Sequence, residues 1–337
     1  MDTLPTDIVF GHQWAIKLLN HAIASETLPQ SLLVTGAPQL GKATLARALA
    51  MALTCQDTPK PCGRCSACQK IQSGNHPDVT ILDTPGNGPP ESLKIEQIRA
   101  LQKDLSLRPF ESRHKIAILC DFERATASAA NALLKTLEEP PPSVNLILTA
   151  QTVNRLLPTI VSRCQIIGLR PVAAQTVSHM LQQKFGAPPS KADLLGRLAR
   201  GRPGWAAAAL ANPQILSRRT QYLEDLLNLT GQGYHSRLAY AEALAKGNRP
   251  PAEAFELWLL WWRDVLLLRL NAGANIVNLD FSEKARSVAE KLSPAQILTA
   301  VKHTCAALKN LEFNVNRRLN AEVLLLNLPY LKHTGQN

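Results

Sequence analysis

Nowhere does the sequence hold an apolar run long enough for a membrane span. Its most apolar stretch, "FELWLLWWRDVLLLRL" at 255–270, is short for a crossing and carries Arg263 and Asp264 at its middle, so it reads as a buried helix. The opening "MDTLPTDIVFG" has neither a basic start nor an apolar core, so no signal peptide and a cytoplasmic location are expected. No basic run marks a binding tail, and there is no internal repeat or low-complexity tract. Aromatic residues make up only 5% of the chain, and none is interleaved with its clustered cysteines. That argues against a zinc module that stacks bases.

What is present describes a globular chain. With 337 residues, 45% hydrophobic and 19% charged, two or three domains are expected. Lys and Arg number 37 against 26 Asp and Glu, a net +11. An acidic partner follows, with nucleic acid the first candidate; a merely basic surface gives the same excess.

Between Ser31 and Cys164 short apolar runs alternate with helical patterns. "SLLVTG", "DVTILD", "KIAILCD" and "NLILTAQ" read as buried strands. "KATLARALAMAL", "ESLKIEQIRALQKDL" and "ASAANALLKTLEE" read as the helices between them, which predicts a parallel sheet covered on both faces. "TPGNGPPE" at 84–91 reads as a loop, and "EEPPPS" stops a helix. After "CQIIGLRP" only helical patterns remain, broken at "GRPG" (201–204) and "NRPPAE" (248–253) and ending in "RRLNAEVLLLNLPYL" (317–331).

Four groups of residues carry chemistry. "GAPQLGKAT" follows a strand and opens a helix, as a phosphate loop should, with Gly36, Gly41 and Lys42 in place. Ala43 stands where a hydroxyl would hold magnesium, and Thr44 is rotated from that position by about 100° on a helix. The loop should therefore hold phosphate better than magnesium. Asp121 ends an apolar strand where a second acidic magnesium site would lie, or serves as an ordinary cap. Phe122 replaces the glutamate that would orient water, and Glu123, on an extended chain, would face the other way. Cys55, Cys62, Cys65 and Cys68 read as a closed structural zinc site, a redox pair being the alternative. Gly63 suits the turn between them. His76 is a spare ligand candidate or a loop residue, while Cys120, Cys164 and Cys305 read as packing residues. Finally, Arg163 in "TIVSRCQ" precedes the strand that leaves the domain, where an arginine can reach a neighbour's nucleotide; a plain surface arginine is the simpler reading.

The order "GAPQLGK", "CGRCSAC", "NALLKTLEEPP", "VSRCQ", followed by helical domains, resembles the AAA+ clamp-loader family, and within it the delta-prime subunits of bacterial DNA polymerase III. The resemblance covers essentially the whole chain and is strongest from 11 to 168. It implies an α/β AAA+ P-loop domain with a parallel sheet over 1–168, the cysteine module inserted at 55–68, a small helical lid over 169–210 and an all-α collar over 211–337. It further implies a hetero-pentamer with tau or gamma motor subunits and a delta subunit. That assembly places a sliding clamp on primed DNA and has no membrane partner. The chain would be the stator: Arg163 would complete a neighbour's ATP site. Gly36, Gly41, Lys42 and Asp121 would form a degenerate site for weakly bound, unhydrolysed ATP, and Zn2+ would be structural. Motor subunits carry a lid arginine where this chain has Gly204. Two rivals stand beside this reading: an active AAA+ ATPase motor, and a zinc-dependent nucleic-acid-binding protein.

Overall fold

Alternate residues along each central strand serve opposite faces of one sheet. The structure, a computed structural model, describes residues 9–58, 60–83, 92–247, 251–273, 276–311, 313 and 315–331. The loop expected at 84–91, and residues 248–250 of the second expected break, lie outside the described residues. The chain divides into two compact units, Met1–Gly186 with Ala199–Ala206, and Ala187–Leu198 with Ala207–Asn337.

The first unit runs α1 (Gln13–Ala24), β1 (Ser31–Thr35), α2 (Lys42–Thr54), α3 (Ser66–Gln72), β2 (Val79–Leu82) and α4 (Ile95–Leu105). It continues with β3 (Lys115–Leu119), α5 (Ala127–Glu138), β4 (Val144–Ala150), α6 (Pro158–Val161), β5 (Gln165–Gly168) and α7 (Ala174–Phe185). The strands form one parallel sheet in the order β2-β3-β4-β1-β5. β1, β3 and β4 are buried from end to end, because helices cover both faces. Leu32, Val34, Ile116 and Ile118 fall in one apolar cluster with Ile16, Leu45 and Leu49. Leu33, Ala117 and Leu119 fall in another with Ile98, Leu101 and Leu133. β1 lies between β4 and β5, so the order of strands reverses beside it. The crevice outside the carboxyl ends of strands at such a reversal is where α/β sheets bind ligands.

The second unit is helical: α8 (Pro189–Leu198), the latter part of α9 (Pro203–Ala211), α10 (Pro213–Thr230), α11 (Tyr234–Lys246), α12 (Ala252–Arg269), α13 (Ser282–Lys291), α14 (Pro294–Asn310) and α15 (Arg317–Leu326). The expected buried helix is α12, whose Trp258, Trp261 and Trp262 are fully buried. Its Asp264 is buried as well, and accepts from the backbone N–H of Val277 (3.0 Å) and Asn278 (2.8 Å). Among the described residues no helix is long and apolar enough to cross a membrane.

Several elements differ from the sequence reading. α4 starts only at Ile95, because Leu93 is held in a bridge: its N–H donates to Arg124 O and its carbonyl accepts from Thr126 N. α15 stops at Leu326 rather than running to Leu331, with Pro329 close behind. α1 and α3 went unread. Cys305 is exposed on α14, and is no packing residue.

Candidate functional site

The phosphate loop joins β1 to α2, and glycine makes its turns possible. Gly41 caps α2 at φ 100°, a left-handed conformation that costs a side-chain residue dearly. At Gly36 an added Cβ would lie 2.9 Å from the Leu169 carbonyl oxygen, so the loop fits against the chain leaving β5 only without a side chain. Lys42 is 7% exposed and turns into the loop, where its Nζ donates to the carbonyls of Gly36 (2.8 Å) and Ala37 (3.2 Å). Burial pulls its pKa below the ordinary lysine value, against the opposing pull of the Asp121 and Glu123 carboxylates. His12 Nε2 donates to the Leu40 carbonyl at 2.9 Å, and burial holds this imidazole below its ordinary value. Gly204, at the start of α9, donates its N–H to the Gln39 carbonyl at 3.0 Å. A Cβ at Gly204 would meet that oxygen at 3.0 Å and Gln39 Cβ at 3.3 Å. A side chain there would need the loop at Gln39 to give by a few tenths of an ångström.

The hydroxyl that the loop lacks is not replaced from next door: Thr44 is exposed while Ala43 is half-buried against the core. At the end of β3 the chain is not extended, and this corrects the expectation for Glu123. Asp121 takes a left-handed φ of 45°, and a single 3-10 turn, Phe122–Arg124, follows it. Phe122 is driven into the core below the sheet. Glu123 Oε1 accepts from the Gln151 backbone N–H at 3.1 Å, and its charge is near enough to act on Lys42. Asp121 N–H is held by Thr149 Oγ1 at 2.9 Å. The loop, Lys42, Asp121 and Glu123 thus share one corner of the sheet.

The four cysteines come together beside α2 and α3. Cys55 caps the end of α2, Cys65 caps the start of α3, Cys68 is buried within α3, and Cys62 precedes them. All four sulfurs lie within 4.8 Å of one another, a set that could hold a metal ion. Cys55 Sγ and Cys65 Sγ are 3.8 Å apart. A tetrahedral zinc with Zn–S near 2.3 Å separates its sulfurs by about 3.8 Å, so the donor set fits. Backbone N–H groups of Cys62, Cys65 and Cys68 point at the sulfurs of Cys55 (3.3 Å), Cys62 (3.2 Å) and Cys65 (3.5 Å). Such donors favour thiolate: burial works against the Cys65 thiolate, yet the N–H groups of Cys68 and Gln56 bring this thiol down to about 7. Burial pushes Cys55 and Cys68 up. Gly63 has φ 70°, as the turn requires. His76 stands outside this group. Its Nδ1 accepts from Asp78 N–H at 3.1 Å and its Nε2 lies 3.5 Å from Glu111.

Arg163 follows α6 and precedes β5, one of the two edge strands of the sheet. Its side chain is 33% exposed and pairs with Glu138, the last residue of α5, at 2.5 Å. Nothing in the sequence spacing announces that pair. Cys164 beside it is half-buried against the core, as expected of a packing residue, and Cys120 is buried.

A parallel sheet in this order, with a glycine loop leading from β1 into α2 and a helical unit later in the chain, defines an AAA+ type of P-loop protein. A profile described as DNA polymerase III, delta subunit, matches residues 11–173, and one described as DNA polymerase III, delta subunit, C terminal, matches 213–329. The DNA polymerase III subunit delta' of Escherichia coli (strain K12) is 30% identical over 309 residues, covering 90% of each chain. That of Bacillus subtilis (strain 168) is 28% identical over 324 residues, covering 93% of this chain and 94% of the relative. The subunit tau of the same Bacillus is 27% identical over 316 residues, covering 86% of this chain and 55% of the relative. The chain belongs to the DNA polymerase III delta-prime family.

Proposed function

We propose that this chain is a non-catalytic subunit of a replication clamp loader. It lends Arg163 to the ATP site of a neighbouring motor subunit of the tau or gamma kind. The observation that carries the reading is the position of Arg163, part-exposed at the sheet edge beside β5, on a chain whose own loop lacks the magnesium hydroxyl. A guanidinium that meets a γ-phosphate can act only where a second subunit presents the nucleotide, so ATP binding would favour the assembled geometry. Delta, the sliding clamp and primed DNA then belong to the same assembly, a hetero-pentamer, with the helices after residue 211 as its collar. The close docking of Gly204 on Gln39 supports a stator that does not flex around a nucleotide of its own.

The rival reading, an active ATPase, has one observation in its favour: the charge of Glu123 acts on Lys42 of the loop. Turnover by the isolated chain decides between them. We expect ATP hydrolysis at background, staying there in Ala43→Thr, because a hydroxyl alone does not restore the water-orienting glutamate missing at Phe122. Removing single charge-stabilising groups commonly costs about a hundredfold or more in rate. Sustained turnover by the wild-type chain would overturn the non-catalytic reading.

The four cysteines would hold zinc with every coordination position filled, which leaves no room for substrate and makes the metal structural. Chelation should lower the melting temperature of the first unit. The loss should be smaller than the about 10–16 kcal/mol that zinc supplies to isolated finger peptides, since Cys55 and Cys68 already pack in the core. Calorimetry after metal removal, verified by elemental analysis, checks this; an unchanged melting curve would contradict it.

A further inference from the structure

We propose that Glu138 is a positioning residue for Arg163, one that fixes the guanidinium before a neighbour's phosphate arrives; this rests on the reading of Arg163 given above. The two residues come from separate motifs, "NALLKTLEEPP" and "VSRCQ", and the fold sets them side by side. Arg163 Nη2 meets Glu138 Oε1 at 2.5 Å, while Nη1 donates to the Thr159 carbonyl at 3.0 Å and lies 3.4 Å from Ser162 Oγ.

The backbone on both sides of the pair is anchored. Leu137, next to Glu138, is buried in the core below the sheet, and so is Ile160, while Cys164 packs against the same cluster. α5 ends at Glu138 because prolines begin two residues on, at Pro140, which places its carboxylate at the helix terminus. A cation is favoured near that end by the helix dipole.

Arginine carries five N–H donors. The three contacts occupy Nη1 and one proton of Nη2, leaving Nε–H and a second Nη2 proton without a partner among the described residues. Those two donors remain for a phosphate. Without Glu138 the guanidinium keeps only a carbonyl and a hydroxyl, and must be ordered anew in every catalytic cycle. Both groups are part-exposed, 33% for Arg163 and 48% for Glu138, so the pair adds little to stability. Its effect should therefore be seen in rate and not in melting.

The test is ATP turnover by the reconstituted complex, assembled with Glu138→Ala, Glu138→Gln, Arg163→Ala or the Glu138→Ala, Arg163→Ala double variant. Misplacing a catalytic group by an ångström costs up to about a hundredfold, so Glu138→Ala should lower kcat about tenfold while KM for ATP stays within about twofold. Its melting temperature should be unchanged. Glu138→Gln keeps an acceptor oxygen and should recover most of the rate. In the Arg163→Ala background, Glu138→Ala should cost nothing more. Full activity in Glu138→Ala alongside a defective Arg163→Ala would overturn the role of Glu138 alone, as would an undiminished loss in the double variant or a glutamine as poor as alanine. Full activity in Arg163→Ala would overturn the reading of Arg163 and the role of Glu138 with it.

Discussion

Replacing Arg163 with alanine should slow hydrolysis at the ATP site facing this chain about a thousandfold, or about 4 kcal/mol of transition-state stabilisation. On the reading proposed above, Arg163, held in place beforehand, would stabilise the charge that develops on a transferring phosphoryl group. The flanking residues Ser162 and Cys164 are neutral. Arg163→Lys should rescue poorly, because an ammonium cannot keep Glu138 and the Thr159 carbonyl on one edge while presenting two donors on another. The folding of the chain should not change, since a part-exposed ion pair contributes about 0–1 kcal/mol. Single-turnover hydrolysis by the assembled complex, read alongside the melting curve of the variant, checks both halves.

Replacing Arg237 with methionine should destabilise the second unit by about 3–5 kcal/mol, the range found when a buried charge network loses a partner. Arg237 lies on α11 and is 2% exposed. Its Nε donates to Leu229 O (2.9 Å), Nη1 to Leu325 O (3.0 Å) and Leu328 O (2.8 Å), and Nη2 to Pro329 O (3.2 Å) and Thr230 O (3.4 Å). Burial lowers its pKa from the ordinary arginine value. No carboxylate is among these partners; the charge is met by carbonyls at the carboxyl ends of α10 and α15, where helix dipoles are negative. Methionine would fill much of the space and leave those carbonyls without donors, each worth about 1–3 kcal/mol when buried unpaired. Urea unfolding should show a lower midpoint at the same slope. A change below about 1 kcal/mol would mean that water reaches these carbonyls readily.

The elements most legible in the sequence are those with the most burial, though β2, only partly buried, and the one-sided helices α4 and α5 were legible too. β1, β3 and β4 are largely apolar and buried throughout because helices cover both sides of the sheet, and such runs announce themselves. α12 was legible for a similar reason, its three tryptophans being core residues. α1 was not, since Trp14 and Leu18 face outward and blur its apolar stripe. α3 is only seven residues long and rich in cysteine spacing that draws the eye to metal instead.

The phosphate loop, the cysteine set and Arg163 were visible as motifs because their chemistry depends on local spacing. What spacing could not supply was the geometry between segments. Asp121 adopts a left-handed conformation and puts Glu123 in a tight turn, a tertiary outcome that counting along an extended strand misses. Gly204 stood out only as the place of a lid arginine, and the hydrogen bond from its N–H to Gln39 is a contact that spacing does not announce. Arg237 looks like a solvated helix residue, and its burial follows only from where α10 and α15 end. The Glu138–Arg163 pair joins positions 25 residues apart, and no periodicity encodes it.

On the proposed reading this chain supplies an arginine and does not itself turn over ATP. The most direct measurement is steady-state ATP hydrolysis by the complete complex with clamp and primed DNA, assembled from wild-type or Arg163→Ala chain, with the isolated chain run beside it. Brisk turnover is expected with wild type, collapse of the stimulated rate with Arg163→Ala, and background for the isolated chain. An undiminished rate in the Arg163→Ala complex would contradict that reading.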